Sequence, residues 1–248
     1  MTSNLTEALK HLTTRFTVKD IMTPEVRLTW APDAETAPTV SAAHPDFSVI
    51  PIKGKGVLSA YFERDSRRTC VIEVGDLISD GTTLLDLVDV LQGREFSFVL
   101  TNRRIDGYVH YSDLNHQMMK WTFYVMLEAV ERLALDSLRP RDERAYLEEK
   151  LGGIRFRQVD QMYKRAGDNG RSLLTYLNIA DILRLAVSNG AIQLDDTSFP
   201  LMKEVRDWAA HVLCDLAPET AVRHLAIVKR ECLRLLGGTS QAEGAATA

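Results

Sequence analysis

The apolar positions of the chain fall into two regimes that change over near residue 113. Before that point the apolar runs are short, and Gly, Pro and Asp separate them. Phe47 to Ile52 and Gly56 to Phe62 read as two strands joined by the turn KGKG. The same order returns about forty residues later. The apolar helix TLLDLVDVLQ ends at Gly93, EFSFVL and GYVHYSD read as strands, and TNRRID is the polar turn between them. Helix, strand, turn and strand are thus predicted twice, without a tandem repeat of fixed period. The stretch APDAETAPTVSAAHPD, which would supply the first copy's helix, is too broken by proline to do so at full length.

From Asp113 onward the period becomes helical. Met118, Met119, Phe123, Met126, Leu127, Val130, Leu133, Ala134 and Leu138 recur at spacings of three and four, which predicts one long helix over 113–138. Further helices are predicted over 139–151, 154–166, 172–188, 199–216 and 218–236, punctuated by Gly152-Gly153, GDNG at 167–170 and Asn189-Gly190. Val222, Leu225, Val228, Cys232 and Leu235 line one side of the last. In 199–216, Ser198 is the expected cap, Pro200 is tolerated in the first turn, and Leu201, Val205, Trp208, Val212 and Leu216 form the expected buried stripe. The fold class expected is therefore α+β, an N-terminal α/β region followed by an all-α bundle. It divides into an N-terminal segment 1–14, a region 15–117, a helical domain 118–236 and a flexible, small and polar tail 237–248.

Composition narrows the function classes. At 248 residues and 45% hydrophobic, the chain can bury two ordinary cores and is too apolar to be disordered. No run of about 18 apolar residues occurs and MTSNLTEALKHLTTRF lacks an apolar signal core, so a soluble cytoplasmic protein with no membrane partner is expected. A net charge of -4 argues against a protein that coats nucleic acid non-specifically. A local exception is the stretch Arg139 to Arg171, where nine Arg or Lys face six Asp or Glu; a helix surface laced with ion pairs reads equally well. Cys70, Cys214 and Cys232 lie in apolar stretches without CxxC spacing, which predicts buried thiols and neither disulfides nor a zinc site.

The first region resembles a tandem pair of CBS domains over about residues 15–117. VKDIMTP is similar to the entry strand of the first module, FSVIPIKGKGVLSAYF to its strand-turn-strand, and DGTTLLDLVDVLQGREFSFVLTNRRIDGYVHYSDL to most of a second module. The resemblance implies two modules packed in one disc, with clefts that often hold adenosine-containing nucleotides as regulatory ligands. The family's ligand signature runs Gly, two apolar residues, Thr or Ser, two residues, Asp. Gly107, His110 and Asp113 occupy those places in the second copy, with histidine where the hydroxyl belongs; in the first copy Gly56 and Ser59 fit but Phe62 replaces the acid. Asp113 can accept two hydrogen bonds from a cis-diol. It reads equally well as the N-cap of the long helix that follows.

Residues 113–236 resemble a HEPN domain, an all-α module of which many members are metal-independent ribonucleases. The likeness rests on a long first helix, a final amphipathic helix and a late helix bearing RDWAAH. Carried over residue by residue, Arg206 is the motif arginine, Asp207 its polar neighbour and His211 the histidine. The resemblance implies a homodimer whose motif helices face each other over an RNA substrate, since on one regular helix Arg206 and His211 point about 140° apart. The chemistry needs no metal or other cofactor. An imidazole titrating near neutrality moves the 2'-hydroxyl proton, a guanidinium stabilises the charge on phosphorus, and the products are a 2',3'-cyclic phosphate and a 5'-hydroxyl. Arg103 and Arg104 also precede His110 by seven and six positions, and only the helical setting and Asp207 distinguish the later match. On the plain alternative, His211 is a partly exposed helix histidine paired to Asp207. Trp121, Phe123 and Tyr124 offer rings for base stacking, although at helical spacing they read first as core. Together the two resemblances predict a nucleotide-regulated endoribonuclease of the toxin or phage-defence kind, coupled through the helix that starts at Asp113; the alternative is a non-enzymatic sensor whose helical part dimerises, docks on a partner or binds nucleic acid without cutting it.

Overall fold

The computed structural model describes residues 14–138, 142–167, 171–195 and 197–245. The chain divides into two compact units, one spanning residues 14–118 and the other running from Met119 onward. Strands occur in the first; every described element beyond it is helical. The predicted N-terminal segment lies almost wholly outside the described residues, as does most of GDNG.

The first unit carries two sheets. Strands β2 (Val49–Gly54), β3 (Val57–Glu63) and β4 (Arg68–Val71) form an antiparallel sheet in that order. Strands β1 (Thr23–Pro24), β7 (Arg104–His110), β6 (Phe96–Thr101) and β5 (Leu77–Ser79) form the other, in which β5 and β6 run parallel. A helix precedes each hairpin, α1 (Ala37–Ala43) and α2 (Leu84–Leu91), so helix, strand, turn and strand does occur twice. Both hairpins turn on two residues with positive φ, Lys55-Gly56 and Asn102-Arg103, the backbone that matches strand twist in tight hairpins. Both also carry a register shift just before the turn, at Ile52/Lys53 and at Val99/Leu100. Helix α1 is the shortened element its prolines imply. The Arg64 guanidinium holds its C-terminal end by donating to the carbonyls of Ser41, His44 and Pro45 and to Ser41 Oγ. Ala31, Ala37, Ile50, Ile52 and Phe62 pack as one core cluster.

The second unit consists of helices α3 (Gln117–Ser137), α4 (Glu143–Leu151), α5 (Gly153–Arg165), α6 (Ile179–Ser188), α7 (Ser198–Ala210) and α8 (Pro218–Ala245). The long predicted helix starts later than its period suggests, because residues Tyr111–Asn115 form a separate 3-10 turn. Residues 172–188 likewise split into a 3-10 turn, Leu173–Tyr176, and α6, where Asn178 and Asp181 form a reciprocal cap. Helix α8 takes in residues 237–245 of the tail that reads as flexible.

Helix α7 departs most from expectation: it stops at Ala210, six residues short of the predicted end. The cause lies in another helix. The Lys120 side chain of α3 is 1% exposed, and its Nζ lies 3.3, 3.1 and 2.6 Å from the carbonyl oxygens of His211, Val212 and Cys214, 3.0 Å from Asp215 Oδ1, and 5.7 Å above the Trp208 ring. A buried ammonium demands oxygen partners, and carbonyls tied up in further helical turns would not supply them. Val212, expected in the buried stripe, is therefore 69% exposed; Val205, Trp208 and Leu216 of that stripe are buried, and Phe199 and Met202 join Val205 and Trp208 on the buried face of the helix. Trp208 packs edge-on against Phe123 at 6.2 Å. Helix α7 is capped by Asp195, which accepts the amides of Thr197 (2.9 Å) and Ser198 (2.7 Å), and not by the Ser198 side chain.

Candidate functional site

Strand β7 delivers Tyr108 and His110 to one wall of a cavity of about 390 Å³, and the 3-10 turn that follows adds Ser112 and Asp113. The rest of the lining comes from the segments around Arg27 and Phe47, and Thr23 of β1 contributes a hydroxyl. Gly107 makes this arrangement possible without lining it. A Cβ there would stand 2.7 Å from Met22 Sδ and 3.0 Å from the Thr23 carbonyl oxygen, so only glycine lets β1 lie against β7 at this point.

Asp113 does not cap the long helix. Its Oδ2 accepts the amide of His110 at 2.8 Å, while the His110 ring accepts the amide of Ser112, a reciprocal cap that starts the 3-10 turn. Among the described residues nothing hydrogen-bonds to Oδ1, which leaves that oxygen available to a ligand. Burial raises the Asp113 carboxyl above its ordinary value, against the opposing pull of the His110 amide and of His116.

His110 Nδ1 lies 3.2 Å from the Ser112 amide, which it accepts, and 2.8 Å from Ser112 Oγ. A ring nitrogen accepting from an amide carries no proton, so the imidazole is neutral and offers Nε2–H. Burial lowers its pKa, which favours the same state. The Tyr108 hydroxyl is pushed well above its ordinary value by burial and by the Asp113 and Glu95 carboxylates, and stays a neutral donor. At the rim Phe47 stacks on His44 with centroids 5.6 Å apart.

Ser59, the first copy's equivalent of His110, is exposed on β3 and does not line this cavity. A second cavity of the same unit, about 500 Å³, is also made without it; Tyr61, Glu63, Asp76 and Glu95 give that one an acidic wall. Of the four expected nucleotide-site residues, the structure thus brings His110 and Asp113 together at one cavity and leaves Gly107 and Ser59 outside it. Arg27, Asp46 and Phe47 are site residues that the sequence reading missed. Arg27 ends the short 3-10 turn Glu25–Arg27, and Asp46 and Phe47 stand just before β2, so no ligand motif marks them.

In the helical unit, the Arg206 guanidinium lies 4.3 Å from the Tyr124 ring, with Nη2 3.4 Å from the Tyr124 hydroxyl and Nε 3.9 Å from Glu131 Oε2. Asp207 pairs with Lys203 at 2.5 Å rather than with His211 or Arg206. His211 is exposed just beyond the helix end, and among the described residues its ring has no hydrogen bond or ion pair; its amide donates to the Trp208 carbonyl, and its own carbonyl accepts from Lys120 and from the Cys214 amide. No hydrogen bond or ion pair joins any two of Arg206, Asp207 and His211. Of the three aromatics near the start of α3, Phe123 is core, Tyr124 lies under Arg206, and Trp121 is half exposed.

The thiols also differ from expectation. Cys232 is buried, and burial beside Glu231 raises its pKa, but Cys70 is half-buried and Cys214 exposed, the latter because α7 ends early. Among the described residues no group of three or more His, Cys, Asp or Glu is placed to hold a metal ion, and no helix is long and apolar enough to cross a membrane.

No family model matches the chain, and no curated protein matches it. Among solved structures it is similar to the CBS domain of a bacterial CNNM/CorC family Mg2+ transporter in complex with ATP, at 14% identity and a TM-score of 0.37, covering 48% of this chain and 98% of that one. It is also similar to that CBS domain in complex with the inhibitor IGN95a, at 14% identity and a TM-score of 0.34, covering 46% of this chain and 82% of that one. At these values the likeness is confined to about half of the chain.

Proposed function

We propose that the unit spanning residues 14–118 binds an adenosine-containing ligand in the cavity beside Asp113, and that the protein is a ligand-sensing regulator. The observation that carries this reading is the Asp113 carboxylate on the wall of a 390 Å³ cavity, one oxygen fixed by the His110 amide and the other unengaged. A carboxylate so placed accepts from the 2'- and 3'-hydroxyls of a ribose, and charge-assisted bonds of this kind are the strong ones. The size suits a small organic ligand. The CBS resemblance of the sequence points to the same residue and the same ligand class. In the chain, the turn that holds Asp113 leads directly into α3, so a ligand there bears on the start of the helix that enters the second unit. Calorimetric titration of the full chain with adenosine tests it. Binding is expected, and Asp113→Asn weakens it by about tenfold or more; no heat with any adenosine derivative overturns it.

A second reading, favoured by the exposed and unpaired imidazole of His211, is the HEPN-type ribonuclease acting as a homodimer. It has less support, because Arg206 is occupied by Tyr124 and Glu131 and Asp207 by Lys203. A phosphodiester would have to draw Arg206 away from both neighbours. Incubation with total RNA in chelator, beside His211→Ala, separates the readings: intact RNA is expected with both proteins, and cleavage by the unmodified protein alone would establish the nuclease.

A further inference from the structure

The cavity beside Asp113 carries few charges. The charged residues lining it are Arg27, Asp46 and Asp113. His110, the remaining titratable nitrogen on the wall, adds no charge, because its Nδ1 is spent as an acceptor for the Ser112 amide. Lys53, the basic residue of neighbouring β2, is held by Glu25 at 2.7 Å. One guanidinium therefore faces two carboxylates. Arg27 is exposed, and among the described residues it has no ion pair or hydrogen bond, so its fork is free for a single phosphate. Relative to a monophosphate, a di- or triphosphate brings about one or two more negative charges to a wall that is already net negative, and like charges set together there weaken binding. Besides the Ser112 hydroxyl, which is 2.8 Å from His110 Nδ1, the polar groups that remain are the hydroxyls of Thr23, Thr29, Ser48 and Tyr108 and the imidazole Nε2–H. These suit the neutral hydroxyls and ring nitrogens of a nucleoside better than a phosphate chain.

We infer that this cavity takes a nucleoside or nucleoside monophosphate and rejects the di- and triphosphates, with Arg27 holding the single phosphate and Asp46 acting as the repulsive gate. This rests on the proposed binding of an adenosine-containing ligand at Asp113. The test is calorimetry on the full chain with adenosine, AMP, ADP and ATP at one ionic strength, with and without magnesium. Adenosine and AMP are expected to bind at least tenfold more tightly than ADP and ATP in both buffers. Arg27→Ala is expected to lower AMP affinity by about tenfold relative to that of adenosine, and Asp46→Asn to narrow the gap between AMP and ADP. Tightest binding by ADP or ATP overturns the inference and leaves the sensor reading standing. Binding of adenosine and AMP with no differential effect of Arg27→Ala overturns the assignment of the cation. If none of the four binds, the sensor reading fails and this inference fails with it.

Discussion

The ammonium of Lys120 lies 2.6 Å from the carbonyl oxygen of Cys214, across 94 residues of sequence, and this contact decides where α7 ends. Three main-chain carbonyls and the Asp215 carboxylate converge on one buried cation. The C-terminal end of a helix carries partial negative charge, so the cation also complements the α7 dipole. The ion is buried, the oxygens depend on it, and the exposed segment of Val212 and Leu213 takes its path from it.

Lys120→Met keeps the stem and removes the charge. It leaves several oxygens without their partner, and the expected loss of stability is about 2–4 kcal/mol. Chemical denaturation of the two proteins measures it. A loss under about 0.5 kcal/mol would mean that residues 211–215 hold their path without the ammonium.

Arg206 and His211 have opposite structural burdens, although they are the paired residues of one motif. Arg206 is packed on the Tyr124 ring, and Arg206→Ala is expected to cost about 1–2 kcal/mol through the lost cation–π contact and packing. His211 is exposed with its ring unengaged, and His211→Ala is expected to change stability by less than about 0.5 kcal/mol. Thermal and denaturant unfolding of both variants check this. Equal large losses would place His211 in the packing of the unit after all.

Both hairpins are legible in the sequence because their apolar runs are bounded by turn residues, and the turns fall where Lys55-Gly56 and Asn102-Arg103 take positive φ. Strands β4 and β5 are not. Arg68–Val71 is largely exposed on both faces, and Leu77–Ser79 is only three residues long, so neither carries the alternation that marks a half-buried strand. The end of α7 is hidden for a different reason. Nothing in AAHVLCD is a helix stop, and the signal is a lysine on another helix. Asp113 stands out by its spacing from Gly107, yet the glycine serves strand packing and the carboxylate serves the cavity. Residues 27 and 46–47 gain their meaning only when folding brings them to the same cavity as β7.

Burial makes the Asp113 carboxylate costly to keep ionised. Burial raises its carboxyl above the 3.8 of an unfolded chain. Between 3.8 and that raised value, the folded chain holds the proton more tightly than the unfolded chain does, so this residue's contribution makes stability fall as pH rises through the window. Above the window the ionised, buried carboxylate is a constant penalty. Asp113→Asn, which retains an oxygen for the His110 amide, is therefore expected to be more stable than the unmodified protein at pH 7. The difference should shrink on acidification through the window and vanish below 3.8. His110 titrates in a separate range: its lowered pKa supplies stability above 6.5 that is lost as pH falls below that value, and it does so equally in both proteins, so it cancels in the comparison. Ligand affinity runs the other way. On the proposed reading, adenosine is bound by the ionised carboxylate, so its affinity should weaken as pH falls through the raised Asp113 value, sooner than an ordinary aspartate would allow. Paired unfolding and binding curves from pH 3 to pH 8 measure both. A variant less stable than the unmodified protein at pH 7 would show that the carboxylate's bond to the His110 amide outweighs the cost of its burial.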